Sequence, residues 1–194
     1  MHKPLKNYLL IVLFTAAFIW SCSDANSANE LDDEDIGEVT FTISGDLEGT
    51  SSGAAFFDNN TSGNGGDYYF ELIFMDGIDG PETFRFTIGR YRGESFSAPT
   101  PGTYEIDGRP FNFTAAYEYT TGSFTGTEQY TDQYCEDAFE TGGELVISSV
   151  SDSQVSGSFN FTVAGFDDLT DCNLLGYVEI SGNFRAVPYD KLFL

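Results

Sequence analysis

The chain of 194 residues carries 31 acidic residues against eight Lys and Arg, a formal net charge of −23. Binding a phosphate backbone depends on clustered Lys and Arg, so this balance excludes nucleic acid as a partner and opposes direct contact with anionic lipid. The length fits one domain of roughly 100 to 200 residues with its own core, plus short flanking segments.

At the N-terminus, Lys3 and Lys6 precede the apolar run Tyr8 to Trp20, which Ser21-Cys22 closes. The run is shorter than the roughly 20 apolar residues that span a bilayer and suits the core of a signal peptide. Ile19-Trp20-Ser21-Cys22 resembles a lipobox, where the Cys thiol is diacylated and the chain is cut just before it. That resemblance implies a removed signal at residues 1–21, an acylated Cys22 and a membrane partner held through the acyl chains. An ordinary secretory signal cut nearby is the alternative. Each buried methylene contributes about 0.8 kcal/mol, so two or three chains tether where one holds only reversibly.

Residues 22–36 contain Ser23-Asp24 and then Glu30, Asp32, Asp33, Glu34 and Asp35. So charged and apolar-poor a stretch cannot offset the entropy of ordering itself and is expected to be a flexible linker. It also resembles the acidic export tag of surface lipoproteins from Bacteroidetes-type bacteria, which implies a surface-exposed outer-membrane location. Removing residues 1–21 takes the only His, His2, and the only Trp, Trp20. Arg85, Arg90, Arg92, Arg109, Arg185 and Lys191 remain, six bases against 31 acids and a net charge of −25.

From residue 37 to 194 the pattern is all-β, and an antiparallel β-sandwich of about nine or ten strands is expected. Val39, Phe41 and Ile43 alternate with Thr40, Thr42 and Ser44; Phe84, Phe86 and Ile88 with Arg85 and Thr87. Val155, Gly157, Phe159, Phe161 and Val163 alternate with small polar residues, as do Val178, Ile180, Phe184 and Ala186 with Glu179, Ser181, Asn183 and Arg185. Further strands are expected at 53–58, 67–76, 111–120, 123–131 and 143–149. Segment 67–76 is apolar on both faces, which predicts a central strand covered on both sides, or one lining a cleft. Residues 58–67 read as a loop, Thr121-Gly122 as a tight hairpin turn, and no 3.6-residue period is long enough for a stable helix.

Three motifs at the C-terminal end carry a family resemblance. Glu144-Leu145-Val146-Ile147, then Val155-Ser156-Gly157-Ser158-Phe159-Asn160-Phe161-Thr162, then Gly176 to Phe184 follow the pattern "G-x-L/V-x-I … I-S-G-x-F-x-F … V-x-I-x-x-G-x-F". This resembles the ending of a group of uncharacterised β-sandwich lipoproteins of Bacteroidetes-type bacteria, as Pro101-Gly102-Thr103-Tyr104 resembles their "P-G-T-Y" turn. The resemblance implies a fold and an envelope location, and no activity.

After Cys22, two cysteines remain, Cys135 and Cys172. An exported protein sits where disulfides persist, so this pair is expected to bridge, with two free thiols as the alternative. Neither Ser-His nor Cys-His catalysis can be built without His, and no catalytic residue is assigned. Glu71, flanked by apolar residues, is expected to have its pKa raised if burial desolvates it; a solvated face is the alternative. No metal site is assigned either. Calcium takes oxygen ligands, and Asp58, Asn59, Asn60 and Asp67, or Asp76 and Asp79, or Asp167, Asp168 and Asp171 supply them, but none follows the spacing of a calcium loop. Turn chemistry alone explains such residues.

Tyr104, Tyr117, Tyr119, Tyr130 and Tyr134 lie close in sequence, and a hairpin of 111–120 with 123–131 would put some on one face. They are the candidate ligand-binding surface, since Tyr stacks on sugar rings and donates a hydrogen bond; sheet packing is the alternative. The sequence thus predicts a lipid-anchored, non-catalytic binding or structural module of the bacterial envelope. A glycan-binding surface lipoprotein of a nutrient-capture system is the second expectation, and a carboxylate-based glycoside hydrolase the third.

Overall fold

Val39 and Phe41 are buried while Glu38, Thr40 and Thr42 are exposed, the period of two that a strand shows when one face meets a core. The same alternation organises the whole computed structural model, which describes residues 36–61, 68–76, 84–92, 99–109, 112–120, 127–131, 139–166 and 172–190. The signal segment 1–21, Cys22, the linker up to residue 35, Tyr134, Cys135, and Asp67, Asp79, Asp167, Asp168 and Asp171 lie outside the described residues. All described residues belong to one unit, Asp32–Leu194.

Ten strands form among the described residues: β1 Glu38–Gly45, β2 Gly49–Thr61, β3 Tyr68–Met75, β4 Phe84–Arg92, β5 Gly102–Ile106, β6 Thr114–Thr120, β7 Thr127–Thr131, β8 Gly142–Val150, β9 Val155–Phe166 and β10 Leu174–Pro188. The all-β class and the strand number are as the sequence predicts. Strand β5 is an addition. Its alternation of Tyr104 and Ile106 with Thr103 and Glu105 spans too few residues, next to two prolines, to stand out from a turn.

The strands belong to one sheet in the order β1-β10-β2-β3-β4-β6-β7-β9-β8-β5. Pairing is antiparallel except for the short parallel contact of Val187 and Pro188 with Phe56 and Phe57 and a bridge between Ile106 and Phe113. β1 also pairs β2, and β9 also pairs β10. The two layers of the expected sandwich are therefore continuous, since β1, β2, β3, β4, β6, β7, β9 and β10 form a closed circuit. Closure leaves fewer strand edges open to a stray chain. Outward positions such as Thr40, Thr42, Asn160, Glu179 and Asn183 are polar and exposed, the reverse of a membrane barrel's apolar outer band.

Phenylalanine fills the interior. Phe74 on β3 and Phe86 on β4 meet Phe159 on β9, each with ring centroids 5.3 Å apart, and Phe74 reaches Phe184 on β10 at 5.5 Å. Gly157 makes room for this packing, because a Cβ there would collide with the Val146 carbonyl and lie 3.0 Å from the Phe184 ring. Phe41, Phe86, Phe159, Phe161, Val178, Ile180 and Phe184 are all buried, and Asn160 and Glu179 face solvent. The faces read from the sequence are correct.

Strand β3 is covered on both sides, as its composition implies. Phe70, Leu72 and Phe74 join the main core, while Ile73 and Met75 pack with Ala54, Phe56 and Val187 in a second cluster flanked by Ile36 and Tyr189. The end of β10 pairs in parallel beside β2, which sets Val187 next to Phe56 in that second cluster.

Candidate functional site

Two of the candidate tyrosines, Tyr117 and Tyr130, do not face outward as a platform would need. Tyr117 and Tyr130 are directly opposed across β6 and β7, share a face as foreseen, and that face is the core. They are 3% and 6% exposed, with ring centroids 6.3 Å apart, and Tyr119 packs against the same core. Burial pushes the Tyr117 hydroxyl up to about 12, with Tyr119, Tyr130 and Asp76 adding to the shift. The odd positions of β6, Ala115, Tyr117 and Tyr119, are its more apolar face, so inward orientation follows the ordinary rule. The hairpin itself departs from the expected tight turn. Thr120 pairs Thr127, which makes the connection residues 121–126 and not Thr121-Gly122 alone.

Tyr104 also has a structural task. Its hydroxyl accepts the Thr100 N–H at 2.9 Å and donates to the Thr100 carbonyl at 2.6 Å, while its ring meets Phe113 edge-on at 5.4 Å. This clasp fixes the entry to β5. At the other end of β5, Phe113 N–H donates to the Glu105 carbonyl and Asp107 N–H to the Phe113 carbonyl, both at 3.1 Å. The strand is thus held on β8 with its outward side chains in fixed register.

That outward side contains a groove of about 1050 Å³. Glu105 on β5 lies opposite Glu144 on β8, Glu144 opposite Asn160 on β9, and Thr162 on β9 opposite Glu179 on β10. Opposed residues share a face with Cβ atoms about 4.5–5.5 Å apart. The far wall is the segment Phe139–Thr141, whose Phe139 ring rests 5.0 Å from Tyr177. Gly142 and Gly143, at φ 110° and 156°, turn this segment into β8. A Cβ on Gly143 would run into the Asn160 carbonyl, so only glycine lets the chain lie this close to β9.

The described groove lining contains Glu105, Asp107, Glu140, Glu144 and Glu179 but only one base, Arg109. Arg109 is 3.6 Å from Asp107 and largely exposed, so its pairing contributes little. Asp107 is occupied with its own loop, accepting from the Arg109 N–H at 3.1 Å and the Asn112 amide at 2.9 Å. Glu179 accepts a 3.4 Å contact from the Ser44 hydroxyl. The floor offers carboxylate and hydroxyl acceptors beside one aromatic ring. Sequence reasoning missed it because it depends on β5 pairing β8 and on Phe139 crossing to Tyr177, both set by long-range register.

Glu71 behaves as the sequence predicts. Burial raises its pKa above the ordinary Glu value, against the opposing pull of the Tyr69 hydroxyl, which donates to its carboxylate, and of Arg85; Asp58, opposite on β2, adds to the rise. Tyr69 is raised in turn by burial and by Glu71. This cluster sits on the outer wall at β2–β3 and takes no part in the groove.

Of the calcium candidates, Asp76 accepts the Phe84 N–H at 3.2 Å and so ties together the ends of β3 and β4. Among the described residues no three acidic, thiol or imidazole groups are grouped to hold a metal ion. Cys172 has a left-handed backbone, φ 52°, and is followed by the exposed Leu174 and Leu175. No protein-family model, curated protein or solved structure matches this chain.

Proposed function

We propose that this chain is an exported, lipid-anchored, non-catalytic binding module of the bacterial cell envelope, and that it holds its ligand in the groove on β5, β8, β9 and β10. The observation that carries the binding reading is the opposition of Glu105 and Glu144 on the groove floor. Like charges directly opposite across two strands destabilise a sheet, so a fold gains nothing from the pair unless a ligand meets it. Anchoring through Cys22 rests on the lipobox-like order of residues 1–22, and the acidic residues 22–36 act as the spacer between membrane and domain. A Cys135–Cys172 disulfide fits an oxidising compartment.

A glycan is the ligand class that the lining favours. Carboxylates accept hydrogen bonds from paired sugar hydroxyls, Thr103, Thr141 and Thr162 add hydroxyl groups, and Phe139 supplies a ring for stacking,. A glycan array probed with the purified chain and with Glu144→Gln tests this. Capture of a glycan class by the native chain and its loss in the variant support the reading. Undiminished capture by Glu144→Gln moves the ligand elsewhere.

A further inference from the structure

The far wall of the groove is an aromatic pair whose two members have different tasks. Phe139 belongs to the lining, and Tyr177 supports it from outside the lining, with ring centroids 5.0 Å apart and planes 31° from parallel. Tyr177 is itself held at both backbone groups: its N–H donates to the Asp46 carboxylate at 2.8 Å, and its carbonyl accepts the Asp46 N–H at 3.0 Å. Opposite Tyr177 on β9 is Ala164, which is fully buried although it stands on the outward face. The sheet is therefore covered at this pair, while the next outward pair, Thr162 and Glu179, remains part of the groove.

Beside this apolar wall the floor is rich in acceptors. The carboxylates of Glu105, Glu144 and Glu179 accept hydrogen bonds and donate none, and Arg109 is the only base among the described lining residues,. A ligand that fits must bring donors for the floor and an apolar face for the wall. A pyranose brings both, since its hydroxyls donate and its C–H face suits the negative face of an aromatic ring. A uronic carboxylate or a sulfate adds acceptors and sets like charge against the floor, which opposes binding.

We infer that the groove selects uncharged pyranosyl glycans, with Phe139 as the stacking face that decides specificity and Tyr177 as the positioning residue that seats it. The inference rests on the glycan reading of the groove. A glycan array of matched sets, each neutral glycan beside its sulfated and its uronic acid counterpart, is probed with the purified full chain, and the retained glycan is then measured by isothermal titration. At low salt the neutral members should be captured and their anionic counterparts should not. In about 1 M salt, where screening confines charge effects to about 3 Å, that rejection should shrink. Phe139→Ala should weaken binding of the retained glycan about tenfold, the scale of one aromatic contact. Tyr177→Leu should weaken it as well, and Tyr177→Phe, which keeps the ring, should restore it. Equal capture of neutral and anionic counterparts, or native binding by Phe139→Ala while Glu144→Gln loses the glycan, overturns the inference and leaves the glycan reading standing. Capture of no glycan overturns both. The neutral and anionic comparison uses the native chain alone, so it decides the matter even if a variant fails to fold.

Discussion

Glu144 on β8 stands directly opposite Glu105 on β5, both side chains on the outward face and both exposed. Relieving this repulsion should strengthen the sheet. Glu105→Gln is expected to raise unfolding stability by about 0.2–1 kcal/mol, the usual size of a cross-strand pair effect. Urea unfolding at low salt measures it, and added salt should shrink the gain by screening the native pair. A loss of stability would mean that Glu105 has a favourable partner that outweighs Glu144.

Core replacement should be far more costly. Phe161 is 1% exposed, and its ring lies 5.8 Å from Phe159 and 6.1 Å from Phe86. Phe161→Ala should cost about 3–5 kcal/mol by the transfer and cavity terms together. Asn160→Ala, one residue away on the exposed face, should stay within about 0.5 kcal/mol. Similar costs for the two would contradict the assigned faces.

The pH dependence of stability should contain a contribution from Glu71. Its folded pKa is raised by burial, so the folded chain holds that proton more tightly than the unfolded chain. The resulting stability is fully present below the unfolded pKa, about 4.3, and is lost as pH rises through the folded value. Glu71→Gln removes this titration. Measured by urea unfolding across that window, native stability should fall relative to Glu71→Gln as pH rises. A native chain that gains on the variant would show that the fold favours the carboxylate.

Anchoring through Cys22 predicts a lipid-modified N-terminus, and mass spectrometry of the mature chain reads it directly. Cys22→Ser should release the protein from the membrane fraction. An unmodified terminus beyond Cys22 would remove the lipoprotein reading and leave an exported soluble domain. The same spectra, taken before and after reduction, should show the two-hydrogen mass gain of a Cys135–Cys172 bridge.

Where one face of a strand was much more apolar than the other, the residues alone identified it. Phe159, Phe161, Val178 and Ile180 were legible in this way, and so was the double cover of β3 from Tyr68 to Met75. Tyr117 and Tyr130 show the limit: the hairpin put them on one face, but the chemistry of Tyr suits both a core and a binding surface. Their orientation follows from Ala115 and Tyr119 on the same side of β6. The groove was not legible. It needs Glu105 beside Glu144, 39 positions apart in the chain. Such meetings are set by strand order, which alternation within one strand does not encode.

The central claim is that the groove binds without chemistry, and the fate of a captured glycan tests it most directly. The purified chain, incubated with the glycan it retains from the array, should return that glycan with unchanged mass, while Glu105→Gln and Glu144→Gln each weaken its retention. Cleavage of the glycan by the native chain, abolished by either substitution while binding persists, would make the groove an active site and contradict the account.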